Sequence, residues 1–357
     1  MKLTSPKIIS LLPIVALLLI IIAIVNPAYA AKSMAANEEI YNDNKTLYSD
    51  ISLAKKNINI AIYTLFATNP RLRFSHYDYV RQIQYSLSQA KKRGVSVELL
   101  LNNFNSSSRK IDHIMQSREQ YWCRKNNINC TFSSAKFEHS HQKIIIIDNS
   151  TAYILTGNLP WCWHTTNCAV NYMYRTTDKA VISYLNLLIK QDKNNARKHS
   201  MITPSLTLNN LVISPINSSD KVSEFIVSAK RSLKITQPFL GDNDHIPLAI
   251  INALKIALKN KVTIDLITSI PSSEKHWHIN HQLAYLNKKY SNFRIHALNQ
   301  AQFVHAKTII KDNDSALLGS VNWSNESFYK NREVSIITSN KKIITYLSTR
   351  YKHLVSS

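Results

Sequence analysis

Two stretches of this 357-residue chain repeat one chemical pattern. His141-Gln-Lys143-Ile-Ile-Ile-Ile-Asp148 and His305-Ala-Lys307-Thr-Ile-Ile-Lys-Asp312 each set a lysine two residues after a histidine and an aspartate five residues after the lysine. Residues i and i+2 of a strand project to one face, so each imidazole shares its face with an ammonium. An imidazole can attack, protonate or deprotonate a substrate, and a neighbouring ammonium can neutralise an oxyanion. The aspartates stand where the apolar runs end, in Asp148-Asn-Ser and Asp312-Asn-Asp, which read as turns. A second apolar run leads to Thr156-Gly157-Asn158 in one copy and to Gly319-Ser320-Val-Asn322 in the other. Small residues there let backbone approach a ligand, and hydroxyl and amide groups can donate to phosphate oxygens.

The elements that must carry these residues repeat too. Ile51 to Tyr63 reads as a helix end followed by an alternating strand, and Phe225 to Ile235 repeats that pattern; Ala90 to Leu101 is matched by Ala257 to Ile267. The two histidines stand 305 − 141 = 164 residues apart, close to the spacing of the other matches. A near-constant offset across separate elements predicts duplication of a whole unit of about 150 residues, alternating strand and helix. The expected organisation is residues 31–195, a polar linker at 196–210 around Pro204, and residues 211–357.

The paired patterns resemble the phospholipase D superfamily, whose mark is two H-x-K-x(4)-D motifs, each followed by a Gly-Ser-x-Asn element. The second copy matches throughout. The first has Leu155 at the glycine place and Thr156 at the serine place, with Asn158 retained. The resemblance implies two similar α/β sandwich domains, each a mixed sheet flanked by helices, with the active site at their pseudo-two-fold interface. It implies that His141, Lys143, Asp148, His305, Lys307 and Asp312 are catalytic and that Thr156, Asn158, Ser320 and Asn322 bind substrate. His141 would attack phosphorus to form a phosphohistidine, and His305 would protonate the leaving alcohol. An aspartate paired with each imidazole would hold its tautomer. Lysines and asparagines would neutralise the equatorial oxygens, so neither a metal nor a cofactor is expected. The expected activity is hydrolysis of phospholipid headgroups by an exported enzyme working as a monomer at a membrane surface. A metal-independent nuclease acting on nucleic acid and a cardiolipin synthase-like phosphatidyl transferase are the alternatives.

Composition sets limits. Four glycines exclude the clustered-glycine loops of P-loop and dinucleotide sites. Forty-four Lys and Arg against 22 Asp and Glu give a formal +22, which favours anionic partners without choosing between lipid and nucleic acid. Residues 1–30 read as a signal peptide for a periplasmic or secreted protein: Lys2 and Lys7, an apolar run from Ile8 to Val25, then Ala28-Tyr-Ala30, with an uncleaved anchor as the other reading. Cys123 with Cys130 and Cys162 with Cys168 are expected disulfides, with a four-cysteine zinc site as the alternative. His139 reads as structural, and His276, His278 and His281 as a pocket rim. Trp161, Trp163 and Trp323 read either as site walls or as packing. Asn331-Arg-Glu333 follows the second motif, and the corresponding stretch near Asn167 carries Ala169 where an acid would stand.

Overall fold

A computed structural model describes residues 36–356 apart from 66–75, 106, 160–168, 206–207, 242–244, 271–276 and 300–302. The first repeat runs β1 (Glu38–Tyr41), α1 (Lys45–Leu53), β2 (Asn57–Ile62), α2 (His76–Lys92), β3 (Ser96–Leu101), α3 (Lys110–Lys125), β4 (Asn129–Phe132), β5 (Ile144–Ile147), β6 (Thr151–Leu155), β7 (Met173–Thr176) and α4 (Lys179–Lys198). The second runs β8 (Leu211–Ser214), α5 (Ser218–Val227), β9 (Ser232–Thr236), α6 (Leu248–Lys259), β10 (Thr263–Ser269), α7 (His281–Lys289), β11 (Phe293–Leu298), β12 (Lys307–Lys311), β13 (Ser315–Gly319), α8 (Asn325–Tyr329), β14 (Glu333–Thr338) and α9 (Lys341–Ser356). Each builds a seven-stranded sheet, ordered β1-β7-β6-β5-β2-β3-β4 and β11-β10-β9-β12-β13-β14-β8. The second order, read from its far end, is the first order strand for strand. Both sheets are mixed, with three parallel strands joined to an antiparallel meander. The duplicated α/β sandwich is therefore present.

Isoleucine runs build the strands that carry the motifs, because strands buried on both faces need no polar alternation. Ile144 and Ile146 enter a central core shared with α4, α9 and the second sheet, while Ile145 and Ile147 pack outward under α1 and α2. Val212, Ile309 and Leu317 do the same under α5 and α6 in the second repeat. Helix α4 starts where Asp178 accepts hydrogen bonds from the free amides of Ala180 and Val181. Cys123 near the end of α3 is bonded to Cys130 in β4, with Cα atoms 6.2 Å apart. The expected Cys123–Cys130 bridge is thus present and ties the end of α3 to β4. Cys162, Cys168, Trp161, Trp163, His276 and the signal-like residues 1–30 lie outside the described residues. Among the described residues no helix is long and apolar enough to cross a membrane.

Candidate active site

The central sheet strands end on one another across the repeat boundary. Ser140 forms a parallel bridge with Arg332, and Val170 forms its counterpart with Val304. His141 N–H donates to the Arg332 carbonyl at 2.9 Å, and His305 N–H donates to the Val170 carbonyl at 3.1 Å. Each histidine is therefore aligned by the strand entry of the other repeat, and the two meet at a pseudo-two-fold axis.

Strand register gives the remaining correspondences. Leu155 pairs with Met173 as Gly319 pairs with Ser335, so Asn171 occupies the place of Glu333. Glu333 lies fully buried and accepts from His141 Nδ1 at 2.9 Å. Ser327 Oγ and Asn331 Nδ2 also donate to it, each at 3.0 Å. In the other half, His305 Nδ1 meets Asn171 Oδ1 at 3.3 Å. Sequence comparison places the counterpart of Glu333 at Ala169, because the second-motif offset does not allow for the longer stretch of chain in the first repeat. Two residues more of chain separate Leu155 from Asn171 than separate Gly319 from Glu333. A side chain at Gly157 would collide with the Asn171 amide, so this glycine is needed for close approach.

The lysines lie beneath the histidines. Lys143 and Lys307 are buried, and Lys307 Nζ sits 3.2 Å from the ring nitrogens of His305 and 3.2 Å from the Thr156 carbonyl of the other repeat. Lys143 Nζ donates to the His141 carbonyl at 2.6 Å. Burial brings the Lys143 ammonium down to about 7, although Glu333 opposes the shift. Burial and the charge of Lys143 push Lys307 well below its ordinary value. Desolvation carries His141 down to about 4 against the pull of Glu333, and burial with Lys307, Lys143 and His141 nearby lowers His305 well below the ordinary value. Burial alone would raise Glu333, but His141 and Lys143 outweigh it and keep the carboxyl ionised. Two lysines against one carboxylate, all desolvated, leave the site short of negative charge, which an anionic ligand would supply.

Asn158 and Asn322 complete the symmetry, each with a buried Oδ1 that has no protein partner. The hydroxyls expected to bind phosphate are otherwise engaged. Thr156 Oγ1 accepts from Tyr172 N–H at 2.8 Å and Ser320 Oγ from Val334 N–H at 3.0 Å, so both stitch the hairpin to the next strand. Tyr63 sets its ring edge-on to His141 at 5.2 Å, and Phe239 does so to His305 at 6.2 Å. Neither aromatic is signalled by the motifs. Trp323 is buried in the second repeat's core, so packing is its role. His139 is edge-on to Tyr63 at 5.6 Å.

Asp148 and Asp312 stand apart from the imidazoles, at the opposite ends of β5 and β12. Seven extended residues carry an aspartate roughly 20 Å from its histidine. Each turns the hairpin with left-handed backbone, φ 52° at Asp148 and 55° at Asp312, a conformation aspartate tolerates. Asp148 accepts from the amides of Lys55, Lys56 and Asn57, and Asp312 from those of Lys230, Arg231 and Ser232. The pairing of an aspartate with each imidazole is thus corrected: Glu333 and Asn171 hold the rings, and the aspartates anchor β2 and β9. Burial, the largest single influence, raises these carboxyls, but the donated amides together outweigh it and hold both below the ordinary value. A depressed carboxyl stabilises the fold above its unfolded pKa, and that contribution is lost as pH falls through the folded value. Asp148→Asn is expected to cost about 1–3 kcal/mol near neutral pH. Thermal unfolding should show the deficit shrinking as the solution is acidified; a deficit independent of pH would count against this role.

A family profile described as cardiolipin synthase, PLD-like domain, matches residues 47–193 and again 222–355. Cardiolipin synthase A of Buchnera aphidicola is 23% identical over 343 residues, covering 87% of this chain and 67% of that one. The major cardiolipin synthase ClsA of Bacillus subtilis is 24% identical, covering 84% of this chain and 64% of its own length. The chain thus spans about two thirds of these relatives. Phosphatidylserine synthase of Haemophilus influenzae shares the fold at a TM-score of 0.63 with 11% identity, over 89% of this chain and 86% of that one. Polyphosphate kinase of Porphyromonas gingivalis shares it at 0.62 with 13% identity, over 90% and 50%. The curated relatives are synthases, which overturns the expectation of a secreted hydrolase of lipid degradation. Matched by the same profile in both repeats, the chain belongs to the cardiolipin synthase PLD-like domain family of the phospholipase D superfamily.

Proposed function

We propose that this protein is a phosphatidyl transferase, moving the phosphatidyl group of one phospholipid to the hydroxyl of an acceptor alcohol through a covalent phosphohistidine. The observation that carries the reading is the convergence of His141 and His305, each aligned by the other repeat, over two buried lysines. One imidazole displaces the leaving alcohol from phosphorus while the other gives that alcohol a proton. The second imidazole then takes a proton from the acceptor as the acceptor displaces the first. Lys143 and Lys307 hold the non-bridging oxygens, and the carboxamides of Asn158 and Asn322 turn their amide donors to them. The buried floor limits free water, which favours a lipid alcohol over hydrolysis. Because one chain supplies both histidines, a monomer suffices for a complete site.

Phosphatidylglycerol is the natural probe, since it carries both a phosphodiester and free hydroxyls. Incubated with its vesicles, the purified protein should form cardiolipin and release glycerol, at a rate little changed by excess EDTA. Phosphatidic acid as the sole lipid product, or cleavage of DNA in place of lipid, would overturn the reading. So would a rate abolished by chelation and restored by a divalent metal.

A further inference from the structure

The side chains that rise beside the two histidines are unlike. Phe303 stands two residues before His305, on the same strand face, where the first repeat has His139 before His141. Its ring lies 6.3 Å from the His305 imidazole with the planes 29° apart, and Phe239 packs on it at 5.6 Å while meeting His305 edge-on at 6.2 Å. The position matching Phe239 in the first repeat is Thr64, since each lies seven residues beyond the last amide held by the turn aspartate, that of Ser232 or of Asn57. Thr64 is buried and donates to Glu119 at 2.7 Å. Beside His141 the first repeat sets Tyr63 and His139 instead, both with polar atoms on or in the ring.

Phe239 is also held out of the core. Its backbone is left-handed, φ 57°, a conformation that a bulky side chain adopts only at a cost in free energy. Its neighbours fix it there. Gln237 N–H donates to the Ile267 carbonyl at 3.0 Å, Pro238 and Leu240 are buried, and the Leu240 carbonyl accepts from Asn280 N–H at 2.9 Å. Phe239 itself stays 38% exposed. An apolar ring turned towards solvent beside a reactive imidazole gains contact when an apolar group arrives against it.

From this placement we infer that Phe239 and Phe303 form a subsite for the acyl-glycerol part of a phospholipid, and that the pair selects acylated substrates over their deacylated analogues. The inference rests on the reading of the site as one for phospholipid phosphodiesters. Phosphorus must come within reach of both imidazoles, so the ester-linked atoms a few bonds away meet the Phe303 ring along the same strand face. Neither phenyl ring can replace the water lost by a hydroxylic headgroup, whereas methylenes and ester carbons gain by covering it. Donor lipid and acceptor lipid both carry such a part, and the experiment separates them.

Dihexanoyl phosphatidylglycerol, kept monomeric below its micelle concentration, and glycerophosphoglycerol share one phosphodiester and one headgroup and differ in the acyl chains. Donor selectivity is the ratio of kcat/KM for these two, followed as glycerol release. Acceptor selectivity is the partition of phosphatidyl groups between cardiolipin and exchange into labelled glycerol, with both acceptors present. Both readouts are ratios, so a variant that merely displaces His305 lowers every rate and leaves them unmoved. Phe239→Ala and Phe303→Ala should each lower one of the two ratios by about tenfold, and Phe239→Leu, which keeps an apolar contact, by less than about threefold. A fall in the donor ratio places the donor's acyl-glycerol on the pair, and a fall in the partition places the acceptor's there. Ratios unchanged in both alanine variants would overturn the subsite. So would a loss seen with phosphatidylglycerol vesicles and absent with the monomeric lipid, which would make the rings a membrane anchor. A wild-type protein that cleaves dihexanoyl phosphatidylglycerol in preference to glycerophosphoglycerol, loses that preference in the alanine variants and forms no cardiolipin would sink the transferase reading and leave the subsite standing.

Discussion

Alanine at His141 or at His305 is expected to lower phosphatidyl transfer by at least about a thousandfold, and the double variant to be little worse than either. Non-additivity follows from the division of labour. Attack at phosphorus without a proton for the leaving alkoxide stalls, and a proton donor with no attacking imidazole has nothing to assist. Circular dichroism should show both variants folded, because neither ring carries a core strand: His141 and His305 precede β5 and β12. Initial rates of transfer from radiolabelled phosphatidylglycerol measure the effect. A single variant retaining more than about a tenth of wild-type turnover would place the chemistry elsewhere.

Loss of Arg332 should produce the largest change in stability. Its guanidinium is buried and meets Asp192 of α4 at 2.9 Å, donates to the Ser214 carbonyl at 3.0 Å and stacks 4.5 Å from the Phe137 ring. Burial already lifts the Asp192 carboxyl above its ordinary value in spite of this partner. Arg332→Ala would leave that charge uncompensated in the interior, at a cost of about 3–5 kcal/mol in urea unfolding. The same change should reduce turnover, because the Arg332 carbonyl accepts the His141 amide and the next residue is Glu333. Arg332→Met combined with Asp192→Leu should recover much of the stability, since a well-packed apolar pair can replace a buried ion pair. A loss below about 1 kcal/mol for the alanine variant would show that the pair does not clamp the two repeats.

Much of the fold was legible in the residues because its physical signals are local. The Ile144–Ile147 run reads as a doubly buried strand, Asp148-Asn149 as the turn beyond it, and a shared offset as duplication. The site was legible as far as the histidines and lysines, whose i, i+2 spacing fixes a common face. What remained hidden depends on pairing between strands distant in sequence. Glu333 was visible in its tripeptide, yet its contact with His141 spans 192 residues and exists only because β14 enters beside the first repeat. Asn171 was missed because two extra residues in the first repeat shift the position matching Glu333 from Ala169 to Asn171. The aspartates were misassigned for the opposite reason: the motif binds them to the histidines in sequence, while an extended strand carries them to the far end of the sheet. Thr156 and Ser320 matched the phosphate-binding pattern, but the backbone of the next strand claims their hydroxyls.

The central claim is that two histidines work in sequence on one phosphorus, and its stereochemistry tests that most directly. Transfer through a phosphohistidine involves two in-line displacements, each inverting phosphorus, whereas direct attack by the acceptor involves one. A phospholipid substrate made chiral at phosphorus with sulfur and an oxygen isotope, converted by the purified protein with a primary alcohol as acceptor, can be read by phosphorus NMR. Retention of configuration is the expected result. Inversion would contradict the covalent route and with it the reading of His141 and His305 as a nucleophile and proton-donor pair.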